Sequence, residues 1–469
     1  MTTITTSWAL PQNGDWNNPE AWTVEIPQAA DTVLITVKGP AYTVTADFPA
    51  EAARILEMTQ KATLAISSGA LHVTSGTGTG ALDGTIAVGD DTVLDFGTDA
   101  APTTFDNNGA INLTGSSAIV ISGAVTLTGK GKINLESSSS FIDSDITPST
   151  LTNSGNAISG MGNIGDSGLS FVNGAKGIID ANSTGGIEID TASFTNSGLM
   201  EAVGSGSQLV LQDDIEQNGK GQIKASGGQI LLQDGATING GAISIGKNSD
   251  LTNDLGNSTI ETTTPIKNSG TIGPFGENLT IDGSIKNAGV LNTIFGGNLI
   301  IDGSVTGGTA EIGSGNLEFG GASSAKVTFE PGATGLLILD EPAEFKGTVF
   351  GMSSAPGAAI DLTNILFADD PSVNYSATKH LLTVADSHTG VTDKIKLVDT
   401  GNFSALPGTA GTTDISYAAV GAPPENSVIQ LVQSMASLGA TSRITGSGTG
   451  NLAQNQNAPD FLAANSHHG

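Results

Sequence analysis

Short runs in which apolar and polar side chains alternate recur along most of the chain. They include AIVISGAVTLTG at 118–129, GGIEID at 185–190, SQLVLQ at 207–212, GQILLQ at 228–233 and NLIIDG at 298–303. Alternation at a period of two puts every second side chain on a buried face and the others in solvent. Each run is about four to six residues long, too short for a helix and suited to a small strand. The stretch Asn278-Leu-Thr-Ile-Asp-Gly-Ser returns as Asn298-Leu-Ile-Ile-Asp-Gly-Ser.

A punctuation mark separates the runs: an apolar residue, a spacer, Asn, then Gly within two positions. It falls at Asn107, Asn153, Asn173, Asn196, Asn218 (with one extra spacer), Asn239, Asn268 and Asn287. From Asn153 the steps stay near 20 residues, apart from a step of 29 between Asn239 and Asn268. Asn and Gly supply the left-handed backbone that tight corners need. A unit of this size cannot bury its apolar face alone, but it can when stacked on its neighbours. The pattern predicts an all-β fold, a parallel β-solenoid with inward aliphatic ladders and hydrogen-bonded Asn at equivalent corners. Residues 51–341 form this repeat body, of roughly fifteen coils and about 70 Å at one strand spacing per coil. A propeller would need longer repeats, and a sandwich would not keep the beat.

The flanks differ. Residues 1–50 hold all the tryptophans, Trp8, Trp16 and Trp22, and read as a cap over the first open strand edge. Their second reading is a ring platform for sugar, since flat indole faces suit sugar rings. Residues 342–420 carry longer alternating strands and hairpin-like turns, with Tyr375 and Tyr417, and read as a C-terminal β module. Residues 421–469 hold one predicted helix, in which Val428, Leu431, Val432, Met435 and Leu438 recur at helical spacing between a Ser427 cap and a Gly439 stop. A Gly/Ser/Asn/Gln linker and a tail expected to be disordered follow.

Composition narrows the chemistry. Only 13% of residues are charged while 38% are hydrophobic, the reverse of a disordered chain. The net charge of −29 and the presence of just two arginines, Arg54 and Arg443, argue against nucleic acid and anionic membrane as partners. There is no cysteine, hence no disulfide and no thiolate metal site. The N-terminus lacks the basic and apolar regions of a Sec-type signal peptide, and no run is long enough to span a membrane.

At this point the N-terminal GDWNNPEAW at 14–22, the repeat FTNSGLMEAVGSGSQLVLQ at 194–212 and the segments FKGTV, IDLTNI and LLTV of the C-terminal module resemble the extracellular β-strand-repeat proteins of bacteria, many of them α-proteobacterial. The resemblance implies a right-handed β-helix, a surface or secreted role in adhesion, biofilm matrix or a structural layer, and type I export read from an uncleaved C-terminal signal. The chain departs from the best-known type I substrates in lacking their calcium-binding Gly-Gly-x-Gly-x-Asp nonapeptide.

Enzymes are common on β-helices, which makes clustered carboxylates and imidazoles candidates for chemistry. A hydrolase needs two carboxylates at a fixed separation. Asp90, Asp91 and Asp95 cluster, as do Asp213 and Asp214, but neither group lies beside aromatics, and solvated turn positions are the simpler reading. His72, His380, His388, His467 and His468 are scattered without zinc spacing. Asp90, Asp91 and Asp95, or Asp369 and Asp370, are candidate ligands of a structural calcium, the one cofactor considered. Glycine-rich TSGTGTGALDG at 74–84 lacks the Lys-Ser/Thr ending of a phosphate loop. No catalytic residue is assigned. The expectation is a non-enzymatic, exported structural or adhesive protein that associates with itself end to end into filaments or layers, with cell-surface polysaccharide as a second partner. The rival readings are a carbohydrate-active enzyme and a carbohydrate-binding adhesion module on the same scaffold.

Overall fold

The computed structural model describes residues 3–76, 82–145, 148–165 and 167–418. The predicted helix carrying Val428, Leu431, Val432, Met435 and Leu438 lies outside the described residues, as do Arg443, His467 and His468.

The chain is a parallel β-solenoid of about 15 turns. One coil shows how the alternation builds it. Ser149–Asn153 forms one side, and Ala157–Ile164 bends midway and supplies the other two. Leu169–Asn173 then returns in register above Ser149–Asn153. The first half of the bent strand pairs with Ile178–Ala181 and the second half with Ile187–Ile189. Three columns of parallel strands result, so each coil satisfies the backbone of the next. Parallel stacking extends into both flanks: Thr5–Ser7 already pairs with Thr32–Ile35, and Thr348–Phe350 still pairs with Lys326–Phe329.

Inward side chains stack like on like. In the first column Val125, Leu151, Phe171, Phe194, Ile215, Ile238, Ile260 and Ile281 follow one another in register. The ladder continues through Ile301, Phe319, Leu339 and Leu362. All are buried. Phe171 and Phe194 stack with ring centroids 5.1 Å apart and planes 9° from parallel. Burying each such side chain contributes about 1.5–3 kcal/mol.

The Asn punctuation forms ladders, at two corners rather than one. At the corner after the first column, Asn153 Nδ2 donates to Asn173 Oδ1 (3.2 Å), Asn173 to Asn196 (2.9 Å) and Asn196 to Gln217 Oε1 (3.4 Å). Gln217, not Asn218, takes the next position, because Asn196 and Gln217 are register partners. Asn218 is exposed, and Asn239 instead donates outward to Glu216. Asn268 and Asn287 pair at 2.8 Å, but their strands belong to the second column. The 29-residue step is thus one coil plus one side of the triangle. At the third corner Asn257, Asn278, Asn298 and Asn316 each accept a backbone N–H from the following coil. The twin motif at 278 and 298 reflects this: Leu279 lies on Leu299 and Ile281 on Ile301. Gly297 enters that corner at a φ of 70°, where a β carbon would stand 2.0 Å from Glu277 O.

Both ends change from parallel to antiparallel pairing. At the N-terminus, residues 21–23 run antiparallel along the outer edge of Thr5–Ser7, with Ala9 N–H donating to Ala21 O (2.8 Å) and Thr23 N–H to Ser7 O (2.9 Å). At the other end the first column finishes on Ala359–Leu366, which is covered antiparallel by Thr412–Ala418 and, beyond it, Asn402–Pro407. The third column finishes on Thr392–Val398, covered by the antiparallel strands Leu381–Ala385 and Ser372–Ser376. The second column ends in isolated bridges through Ser323 to Phe345.

Candidate functional site

Four places concentrate chemistry: a polar row on the third column, the tryptophan end, one apolar corner, and the last coils.

In the polar row, His72 Nδ1 meets Asp95 Oδ2 at 2.6 Å. Ser122 Oγ lies 3.0 Å from Asp95 Oδ1 and 2.9 Å from Asp145 Oδ2. The hydrogen bond to Asp95 raises the His72 pKa, partial burial opposes this, and the charges of Asp95 and Asp145 add to the rise. The carboxylate stands between hydroxyl and imidazole. The imidazole therefore does not reach the Ser122 proton, and the order is wrong for a serine nucleophile activated by histidine.

The calcium candidates do not converge. Asp90 Oδ1 accepts the Ser116 N–H (2.7 Å), Asp91 turns the chain at a φ of 55°, and Asp95 is held by His72 and Ser122. Asp369 ends a short 3-10 turn and Asp370 follows at a φ of 49°. Among the described residues no three His, Cys, Asp or Glu side chains surround a common point. The expected ligand set is corrected on this ground: corner geometry sends adjacent carboxylates to different coils. Asp213 and Asp214 part in the same way, one accepting from Thr191 and the other from Thr237 N–H (3.0 Å). Burial raises the Asp213 pKa, and neighbouring Asp190 and Asp214 raise it further, against the Thr191 hydrogen bonds.

The three tryptophans pack on one another. Trp8 and Trp22 meet edge to face at 5.0 Å, and Trp16 and Trp22 at 5.2 Å. Trp22 Nε1 donates to Trp16 O (2.6 Å) and Trp8 Nε1 to Gln12 O (3.1 Å). Their exposures are 3%, 1% and 5% for Trp8, Trp16 and Trp22. This corrects the sugar-platform reading, because the indole faces cover each other and the first coil.

Aromatic surface stands elsewhere. Leu255, Phe275 and Phe295 project from one corner on successive coils, and the two phenylalanines are 54% and 61% exposed with centroids 5.1 Å apart. Sequence reading missed this row. Its signal was an apolar residue followed by Gly and then an Asn of the third-corner ladder, at 255–257, 275–278 and 295–298.

The last coils carry opposite charges in different places. Lys346, Lys394 and Lys396 line one groove together with Phe345 and Leu381. The outward face of the first column is acidic, with Glu318, Asp361 and Asp414. At the opposite end Asp15, Glu20 and Glu25 are exposed around the buried tryptophans.

No helix among the described residues is long and apolar enough to cross a membrane. The chain matches no protein-family model, no curated protein and no solved structure.

Proposed function

We propose that this chain is a non-enzymatic structural and adhesive rod, exported by a bacterium to its surface or extracellular matrix, that associates with its own kind end to end. The observation that carries the association is the pairing of charges at the two ends. Three lysines share a groove in the last coils, and three exposed carboxylates ring the first coil. In a chain of net charge −29, a local basic groove is the natural acceptor for another copy's acidic end. Contacts of this head-to-tail kind do not close on themselves and so build filaments. The backbone supports the same reading, since among the described residues antiparallel strands close each end of a continuous parallel stack, one short segment at the N-terminus and two strand pairs at the other end. Export to the surface, by the type I route, rests on the resemblance of the repeats and flanks to bacterial extracellular β-strand-repeat proteins.

Negative-stain electron microscopy of the full chain tests this. At low salt it is expected to show filaments or layers, which shorten as ionic strength rises. The double variant Lys394→Glu, Lys396→Glu is expected to give isolated rods under the same conditions. Isolated rods of the unaltered chain at every concentration overturn the proposal.

A second reading, adhesion through polysaccharide, is favoured by the Phe275–Phe295 row. Exposed aromatic rows of this kind mark interaction surfaces, and flat apolar rings suit sugar faces. The double variant Phe275→Ser, Phe295→Ser is expected to lose retention on immobilised acidic and neutral polysaccharides at least tenfold with an unchanged melting temperature, since both rings are exposed. Equal retention of the variant and the parent overturns this reading.

A further inference from the structure

The hairpin that closes the first column carries a conflict. Asp361 and Asp414 are direct register partners across the antiparallel strands Ala359–Leu366 and Thr412–Ala418. Such partners project to one face with β carbons about 5 Å apart, and like charges there oppose pairing. On that face Asp361 is flanked by Ile338 and Asp414 by Leu406. Asp361 is 4% exposed. The Oδ1 atoms of both residues are buried and accept no hydrogen bond. Gly408 closes over the second, since a β carbon there would stand 3.0 Å from Asp414 Oδ1.

The groups acting on the pair from the packed elements are Asp340 and Glu318, with Asp302 acting on Glu318, and all are acidic. The one influence that lowers the Asp361 pKa is the neighbouring Thr412 hydroxyl, which itself donates to Thr409 O (2.8 Å). Among the described residues neither carboxylate has a basic partner. A buried and a half-buried carboxylate so placed are accommodated when they share one proton, as an O–H donor facing an O⁻ acceptor.

We propose that the Asp361–Asp414 pair is a proton-operated latch: sharing one proton, it holds the 402–418 hairpin on the last strand of the solenoid, and on losing that proton to solvent it loosens the hairpin and bares the Ala359–Leu366 edge to the N-terminal end of a second copy. The second clause rests on the end-to-end association proposed above, and the first stands without it. Burial first, then the Asp361 charge, push the Asp414 pKa up to about 6. Burial, and then Asp340, raise that of Asp361. The sign follows. A carboxyl with a raised pKa in the closed state binds more protons closed than open, so closure is favoured at low pH and weakens as pH rises from about 4 toward about 6, then levels off. The remaining contacts of the hairpin, among them buried Thr413 and Ile415, keep the closed form in the majority. The inner ladder also ends here, where Leu362 faces Thr413. A bared edge therefore offers both backbone partners and an unfinished apolar ladder.

Hydrogen exchange of the full chain, corrected for intrinsic rates and followed from about pH 4 to about pH 7.5, tests the latch. The opening equilibrium of Thr412–Ala418 is expected to rise by roughly ten- to fiftyfold across this range, while Leu279–Asp282 stays level. In Asp414→Asn, whose amide can donate to Asp361, the rise is expected to vanish. Asp361→Asn, with the donor on the opposite strand, is expected to do the same. A level profile in the parent chain, or an undiminished rise in both variants, overturns the latch. Light scattering on the same samples separates the second clause. Growth of mass that follows opening supports it. Opening without any growth overturns that clause and the end-to-end reading while supporting the latch, and growth that ignores opening overturns the coupling alone.

Discussion

Replacing Phe194 with alanine lowers the stability of the central coils by about 3–5 kcal/mol. The ring is 1% exposed and lies in the first-column ladder between Phe171 and Ile215. Its loss removes the face-to-face contact with Phe171 and leaves a cavity that neighbouring coils cannot fill, because their backbones are fixed one strand spacing apart on both sides. In a body where each coil touches only its neighbours the damage stays local. Hydrogen exchange is expected to quicken in Leu169–Asn173 and in 215–217, next to the cavity, and to stay unchanged in Leu336–Leu339. Uniform quickening along the chain contradicts the neighbour-only picture. Phe194→Leu keeps most of the volume and is expected to cost about 1 kcal/mol.

Trp22→Ala is expected to cost a similar amount, about 3–5 kcal/mol, concentrated in the first two coils. Trp22 touches both other indoles and donates to Trp16 O, so its removal dismantles the cluster rather than one contact. It also loosens residues 21–23 from the outer edge of Thr5–Ser7 and exposes an unpaired strand edge. Limited proteolysis is expected to cut within residues 5–35 first, with the distal coils resistant. Trp22→Phe retains an aromatic edge-to-face contact but leaves Trp16 O without its donor, and is expected to cost about 1–2 kcal/mol. If Trp22→Ala melts and is cleaved like the parent chain, the cluster is not what closes this end.

The coil was legible in the sequence because its two determinants are local. Alternating runs state which side chains point inward, and Asn followed by Gly states where the chain turns. The stacking of Phe171 on Phe194, or of Leu279 on Leu299, then follows from the beat alone. Which corner an Asn occupies was not legible. Asn239 and Asn268 look alike in sequence, yet one reaches outward to Glu216 and the other starts a buried ladder on a different column. Gln217 was overlooked for the opposite reason: one extra methylene hides its equivalence to Asn196, although the longer amide reaches the same partner. The Asp361–Asp414 opposition depends on the register of a closing hairpin whose strands are far apart in sequence, and no local pattern announces it. Adjacency in sequence does not bring the carboxylates of Asp90, Asp91 and Asp95 together. At a solenoid corner it is the residue one coil away, as Ser116 is to Asp90, that becomes the neighbour.

The register that lays Leu279, Leu299 and Leu317 on one another also sets how such a body scales. A globule gains core as it grows, since volume outpaces surface. Here each added coil brings its own share of buried and exposed area and advances the axis by about 4.8 Å. Stability per residue is independent of length away from the ends. Length thus becomes a quantised variable, changed by whole coils through duplication or loss of a segment of about 20 residues, with like joined to like at the seam. The molecule behaves as a ruler whose graduations are single strands.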